Sequence, residues 1–228
     1  MTANRSSEIF DQYWQNKNQI SPENQRVKKA IQVLSGGQRL LDIGCGDGNL
    51  GASLTGRYAE VFGVDIAAKA VELARAKGVN AIQLNLNEYP LPYPDLFFDS
   101  VTLLSVLQYF YDIESVLAEC HRVLRPEGEI LLSSPNMRAF WRLYRLTFQG
   151  RFPRTSIDLT GYDGGALHYF CYQNMVELLE QRGFKVILGR GIFCLPHWAN
   201  QWTDRGLVGW FKREFLGAEF FVRAVKLK

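Results

Sequence analysis

The chain has 228 residues, 47% of them apolar and 21% charged, enough to bury a sizeable core and unlike a disordered or fibrous protein. A formal net charge of +3 is too mild to argue for a nucleic-acid partner, and no apolar run approaches the ~18 residues of a membrane span. Four scattered cysteines, Cys45, Cys120, Cys171 and Cys194, make no Cys-x-x-Cys pair, which predicts neither disulfides nor a zinc site and points to a reducing cytoplasm. In chain order, residues 7–17 read as a short helix carrying Phe10, Tyr13 and Trp14. Ser21-Pro22 looks like an N-cap followed by proline at the first helical position, opening a helix to about Leu34. Strands and helices then alternate. Residues 39–43 (RLLDI) are a buried strand and 48–56 a helix; 60–66 are a strand and 67–78 a helix closed by Gly78; 79–85 are a third strand. Residues 97–104 are the fourth strand, 112–124 the fourth crossover helix and 128–134 the fifth strand. Alternation at this spacing predicts an α/β doubly wound fold, a parallel sheet with helices on both faces. The last third departs from it: helix over 137–149, loop over 150–168, helix over 172–182, then strands over 184–195 and 218–228 as a hairpin-like pair. No repeat, low-complexity tract or linker divides the chain, so one domain is expected over 1–228.

The sharpest local signal is RLLDIGCGDGNLG at 39–51, where Gly44, Gly46 and Gly48 stand between a strand and a helix. Doubly wound sheets bind ligands at such a turn. A dinucleotide fingerprint needs Gly-x-Gly-x-x-Gly, but position 49 is Asn and the third glycine comes one residue early. A phosphate loop fails too, because no Lys-Ser or Lys-Thr follows. Asp65 ends the second strand, 21 residues after Gly44, where a carboxylate can accept from both ribose hydroxyls. The turn therefore reads as a holder for a nucleoside with no phosphate, which suits S-adenosylmethionine.

LLDIGCGDGNL, VFGVDIA, LPYPDLFFDSV and CHRVLRPEGEILLSSPN, in that order from about residue 39 to 136, resemble the class I S-adenosylmethionine-dependent methyltransferases, of the type 11/12 kind. The resemblance implies a Rossmann-like, seven-stranded, mostly parallel sheet with its last strand antiparallel and a helical cap inserted. It divides the single domain into N-terminal helices (1–35), a cofactor-binding half (39–136), a substrate cap (137–170) and a C-terminal helix with strands (171–228). It also implies S-adenosylmethionine as cofactor and S-adenosylhomocysteine as product. Carried onto this chain, Gly44, Cys45 and Gly46 approach the methionine moiety with their backbone, Asp65 holds the ribose and Ile66 packs on the adenine. Asn85 stands where the family usually has Asp to accept from the adenine amino group, a role its amide oxygen can keep. The Leu86 N–H meets the ring nitrogen, and Leu104 lies along the methionine. Leu107-Gln108-Tyr109 replaces the Leu-Glu-His of many relatives, so a general acid or base is missing there.

Methyl transfer from a sulfonium asks mainly for positioning and water exclusion, and for a base only when the nucleophile arrives protonated. Of the three histidines, His121 reads as a surface residue and His197 as part of a loop near the site. His168 is the candidate base or acceptor ligand, by resemblance to a His-x-x-Phe segment before the penultimate helix; the alternative is a histidine tying the long loop to the sheet edge. Tyr13, beside Trp14, is the second candidate, closing over the cofactor, against simple burial of a docking helix. No metal site is expected.

Residues 137–155 hold five arginines and no acid, with Arg138, Arg142 and Arg145 on one flank and Met137, Trp141, Tyr144 and Phe148 in an adjoining stripe. This predicts a packed cap helix with a solvated arginine face, or the roof of a pocket for an aromatic or anionic small-molecule acceptor. A membrane-surface reading stands behind both. SSPNMRAFWRLYRLTFQGRFP also looks like the matching part of MetW-type methionine-biosynthesis proteins, which opens a non-catalytic reading as a cofactor-binding partner or regulatory protein. The leading expectation is an enzyme that methylates O or N of a small molecule. A nicotinamide oxidoreductase is the third reading, separable by whether NAD or the sulfonium donor raises the melting temperature.

Overall fold

The computed structural model describes residues 3–16, 25–155 and 165–227. The Ser21-Pro22 helix start lies outside the described residues. Seven strands form one sheet: β1 Gly37–Ile43, β2 Tyr58–Asp65, β3 Asn80–Gln83, β4 Phe98–Leu104, β5 Leu124–Pro135, β6 Phe184–Cys194 and β7 Gly217–Lys226, in the order β3-β2-β1-β4-β5-β7-β6. Six strands share one direction; β7 runs antiparallel to both β5 and β6. The expected Rossmann-like sheet is therefore present, with the C-terminal pair as its far edge.

Side chains alternate across the sheet, and the core divides accordingly. Leu41, Ile130, Leu132, Phe220 and Val222 face one layer; Leu40, Leu131 and Phe221 face the other. The first layer is covered by α5 (Ile113–Val123) and α7 (Tyr172–Gln181), through Val116, Leu117, Cys120, Met175 and Leu179. The second is covered by α2 (Gln25–Val33), α3 (Asn49–Leu54) and α4 (Ala68–Ala76), through Val27, Ala30, Leu50, Leu54, Val71 and Ala74. Burial on both faces explains why the β4 sequence, FDSVTLL, lacks a polar alternation. Local caps set the helix ends. Asp112 accepts from the Glu114 and Ser115 N–H groups at 3.1 and 3.0 Å to open α5, and Gly78, at φ 84°, follows the last residues of α4.

α1 (Ala3–Asn16) starts earlier than the pattern suggests, and α6 (Phe140–Gln149) starts later; a short α8 (Gly206–Phe211) lies in the Trp-rich stretch before β7. α6 departs from expectation in its orientation. Its arginine flank is not simply solvated: Arg142 is 8% exposed, while Tyr144 and Phe148 of the aromatic stripe are 53% and 76% exposed. The cause is local. β5 and β7 leave the carbonyls of Asn136 and Ala218 beside the helix, and the Arg142 guanidinium donates to them at 2.8 and 2.6 Å. Arg138 donates to Glu214 at 3.0 Å and lies over the Phe215 ring.

The ends of β1 to β5 and the beginning of the reversed β7 lie along one edge of the sheet. That edge carries the site.

Candidate active site

β1 ends at Ile43 and turns into α3 through three glycines with left-handed backbone, Gly44 (φ 70°), Gly46 (φ 53°) and Gly48 (φ 75°). Side chains are excluded there on steric grounds as well. A Cβ on Gly44 would stand 2.5 Å from Val106 Cγ2, one on Gly46 2.6 Å from the Trp14 ring, and one on Gly48 2.8 Å from the Ala74 Cα. Gly48, the early third glycine, thus lets α4 approach closely. The N–H groups of Gly44 and Cys45 both donate to Val64 O, at 2.8 and 3.1 Å, and Gly46 N–H donates to Asp65 Oδ2 at 2.9 Å. With these three donors engaged inside the protein, the turn is not a phosphate cradle, which works through free N–H groups.

Asp65 is 9% exposed, and its other oxygen accepts from Ala67 N–H at 2.9 Å. An ionised carboxylate has about four lone-pair sites, so each oxygen keeps capacity for a hydroxyl donor. Burial lifts its carboxyl above the usual range, against the Ala67 and Gly46 hydrogen bonds that lower it. Asp42, one residue before the end of β1, is 4% exposed and accepts from Thr102 Oγ1 at 2.6 Å. Burial pushes its carboxyl up to about 7, a shift reinforced by Asp65. Asp47 is pinned by Lys77 at 2.9 Å and Asn49 at 3.0 Å, which gives the non-glycine position 49 a structural use. The Cys45 thiol is raised by burial and is no nucleophile. Past β3, Asn85 folds its own turn: its side-chain oxygen accepts from Asn87 N–H at 3.1 Å and its carbonyl from Glu88 and Tyr89 N–H, both at 3.0 Å.

A cavity of about 470 Å³ runs along this edge, within the range of small-molecule sites. It brings together Gly44, Cys45, Gly46, Asp65, Ile66, Asn85, Leu86 and Leu104, with Tyr13 in its wall. α1 forms part of that wall. Trp14, 7% exposed, covers Gly46 and meets Tyr13 edge-on at 5.4 Å, while Phe10 meets Tyr109 edge-on at 5.3 Å. Three acids, Asp42, Asp47 and Asp65, line the glycine-turn end, whereas Arg26 is the one cationic side chain among the described lining residues. That polarity matches the cationic sulfonium and ammonium of S-adenosylmethionine and opposes a phosphate. The residues present fit that donor.

His168 lies outside the cavity lining. Its Nε2–H donates to the Phe110 carbonyl at 2.9 Å, and the N–H groups of Leu167 and His168 donate to Gln108 O at 2.8 and 3.2 Å. It fastens the segment before α7 onto the 107–110 turn. α6 contributes no lining residue; Thr155, beyond it, does. Sequence reasoning missed Asp42, Arg26, Ser105 and Glu219, all in the lining. Asp42 carried a readable signal, an acid inside an apolar strand; Arg26 and Glu219 carried none, because each is defined by the other across the fold.

A methyltransferase-domain family matches residues 41–132. Curated relatives include the ubiquinone biosynthesis O-methyltransferase of Thiobacillus denitrificans, 28% identical over 144 residues, covering 58% of this chain and 62% of that one. The demethylmenaquinone methyltransferase of Thermus thermophilus is 36% identical over 125 residues, 51% of this chain and 57% of that one. The chain thus spans about three fifths of the length of these relatives. Among solved structures, an S-adenosylmethionine-dependent methyltransferase from Archaeoglobus fulgidus superposes with a TM-score of 0.68 at 18% identity, over 96% of this chain and 99% of that one, a likeness of fold. Residues 41–132 are thus a methyltransferase domain, similar in sequence to these methyltransferases, and the chain has the fold of S-adenosylmethionine-dependent methyltransferases.

Proposed function

We propose that this protein transfers a methyl group from S-adenosylmethionine to an oxygen or nitrogen atom of a small-molecule acceptor. The observation that carries the reading is one continuous cavity with an acid-lined, phosphate-excluding end at the glycine turn and an aromatic-walled remainder. When bound, the donor supplies a methyl group already activated on a sulfonium. Asp65 holds the ribose, Ile66 and Leu86 flank the adenine beside Asn85, and Leu104 with the 44–46 turn flanks the methionine. Tyr13 and Trp14 keep water from the reacting end, where burial strengthens every polar contact. His168 and Tyr13 are the side chains assigned to the acceptor's surroundings, His168 through the 107–110 turn that it fastens. Because its Nε2 carries the proton given to Phe110, only Nδ1 remains to accept one.

Both curated relatives are named for methylation in quinone biosynthesis, which supports an aromatic small molecule as acceptor and an enzyme over a partner protein. Calorimetric titration with S-adenosylmethionine tests the donor half. Asp65→Ala is expected to weaken binding at least tenfold, given that hydrogen bonds to a charged group are worth about 1.5–3 kcal/mol. Equal affinity in wild type and variant would remove the ribose assignment, and tighter binding of NAD than of the sulfonium donor would overturn the function.

A further inference from the structure

The strand order splits the cavity. Apart from Leu104 at the end of β4, the strand-end residues assigned to the donor come from the turns after β1, β2 and β3, which leaves the wall beyond Leu104, at the ends of β4 and β5 and the start of β7, for the second reactant. Four polar residues of the lining belong to that half or lean on it: Arg26, Ser105, Gln108 and Glu219. We propose that this half binds the hydroxyl group of a neutral phenol-class acceptor, such as a catechol or hydroquinone, and that Glu219 takes its proton. The proposal rests on the methyl-transfer reading above.

Glu219 is placed by topology. Because β7 is reversed, its first residues reach the ligand edge, and Glu219 pairs with Pro135 at the end of β5. Its carboxylate accepts from Arg26 Nε at 2.9 Å, from the Arg26 Nη2 as well, and from Ser105 Oγ at 3.2 Å. Its side chain is 14% exposed and that of Arg26 24%, so the pair is held inside the wall but not sealed from the cavity. Ser105 is bent to φ 56°, a left-handed conformation that costs a non-glycine residue energy and tends to persist where a site needs it. Gln108 is 3% exposed; its amide nitrogen donates to Ser105 O at 2.9 Å, while its amide oxygen is buried with no partner among the described residues. An orphaned buried acceptor is unfavourable until something donates to it.

The donors and acceptors of this wall define the ligand. Arg26 and Ser105 already donate to Glu219, whereas Glu219 keeps lone pairs and the buried Gln108 oxygen has no donor among the described residues. The wall therefore asks for a ligand that donates, an O–H rather than a carbonyl. Arg26 and Glu219 cancel in charge, so nothing here favours an anionic acceptor, and no arginine of α6 reaches the cavity. Phe10, Tyr13, Tyr109 and Phe110 in the same lining suit an aromatic ring. The carboxylate missing at Gln108 in the sequence pattern is thereby supplied from the last strand. In the transfer, the acceptor O–H proton passes to the Glu219 carboxylate and an oxygen lone pair forms the new O–CH₃ bond. The S–CH₃ bond breaks with its electron pair left on sulfur, which becomes a neutral thioether.

The test uses 4-nitrocatechol, whose absorbance reports its own binding and ionisation, added at a pH below its first ionisation, where it is the neutral phenol, to the full chain saturated with S-adenosylhomocysteine. Wild type is expected to bind it. Glu219→Gln is expected to lower that affinity about tenfold or more, with S-adenosylhomocysteine affinity unchanged. In transfer assays with S-adenosylmethionine, Glu219→Gln should cost at least tenfold more with catechol, which is protonated at neutral pH, than with 4-nitrocatechol, which is largely ionised there. Glu219→Asp should recover part of the loss. Should Glu219→Gln fail to fold, Gln108→Leu serves in its place and should weaken 4-nitrocatechol while sparing S-adenosylhomocysteine. No 4-nitrocatechol binding by the wild-type complex overturns the acceptor class, and an equal loss with both acceptors, or none, overturns the role of Glu219. Neither result touches the donor reading, which fails only if wild type does not bind S-adenosylhomocysteine or S-adenosylmethionine.

Discussion

Asp42 carries a pH dependence with a definite sign. Its carboxyl titrates near 7 in the folded chain, against an ordinary value of 3.8, because burial disfavours the charge. Between these values the folded state keeps a proton that the unfolded state releases, so this group makes stability fall as pH rises from about 4 to about 7 and adds no slope beyond. Asp42→Asn should flatten that part of a urea-unfolding series against pH. A cationic ligand beside Asp42 favours the ionised form, so S-adenosylmethionine should bind more tightly at pH 8 than at pH 6 and release protons, measurable by calorimetry in buffers of different ionisation enthalpy. Residues of this kind divide by how local their reasons are. Gly44, Gly46 and Asp65 were legible in the sequence because a tight turn demands left-handed backbone and the acid follows at a set distance. Arg26 and Glu219 were not, since their meaning lies in a contact between residues 193 positions apart.

α6 shows what periodicity can and cannot give. A 3.6-residue pattern fixes that the helix has two faces, but which face turns inward depends on what the neighbouring strands present to it. Here two carbonyls, of Asn136 and Ala218, meet the guanidinium of Arg142, and the aromatic stripe faces out instead. Arg142→Met should therefore destabilise the fold by about 1.5–3 kcal/mol, the worth of a hydrogen bond to a charged group, since the two carbonyls lose that donor but keep their backbone N–H partners. Phe148→Ser, at 76% exposure, should change stability by no more than about 0.5 kcal/mol. Denaturant midpoints at constant m-value would measure both; the reverse ranking would mean that the apolar stripe, not the arginine, anchors the helix. The central strands were easier to read, because most of β1, β4 and β5 is buried on both faces.

Across the molecule, the edge opposite the cavity is tied by one buried acid. Glu129, 5% exposed, accepts from Ser35 N–H at 2.8 Å, Ser100 Oγ at 3.1 Å and Arg223 Nε at 2.6 Å, joining the α2–β1 connection to β4, β5 and β7. Glu129→Leu leaves Arg223 half-buried and unpaired here, and should cost about 3–5 kcal/mol in urea unfolding. The family match at residues 41–132 includes the 105–110 turn but neither α2 nor β7, which complete that wall of the cavity through Arg26 and Glu219. The doubly wound order was visible in the strand–helix rhythm. The Arg26–Glu219 wall was not, because its two residues stand near opposite ends of the chain and only the folded sheet brings them together.

Trp14 gives the molecule a built-in optical probe. Of five tryptophans, it alone among the described residues lines the cavity, with its ring against Gly46 of the glycine turn. A molecule arriving at the turn changes the surroundings of that indole, while the other four contribute a steady background emission. Occupancy of the donor half can thus be followed in the unlabelled protein, in real time and before any acceptor has been identified.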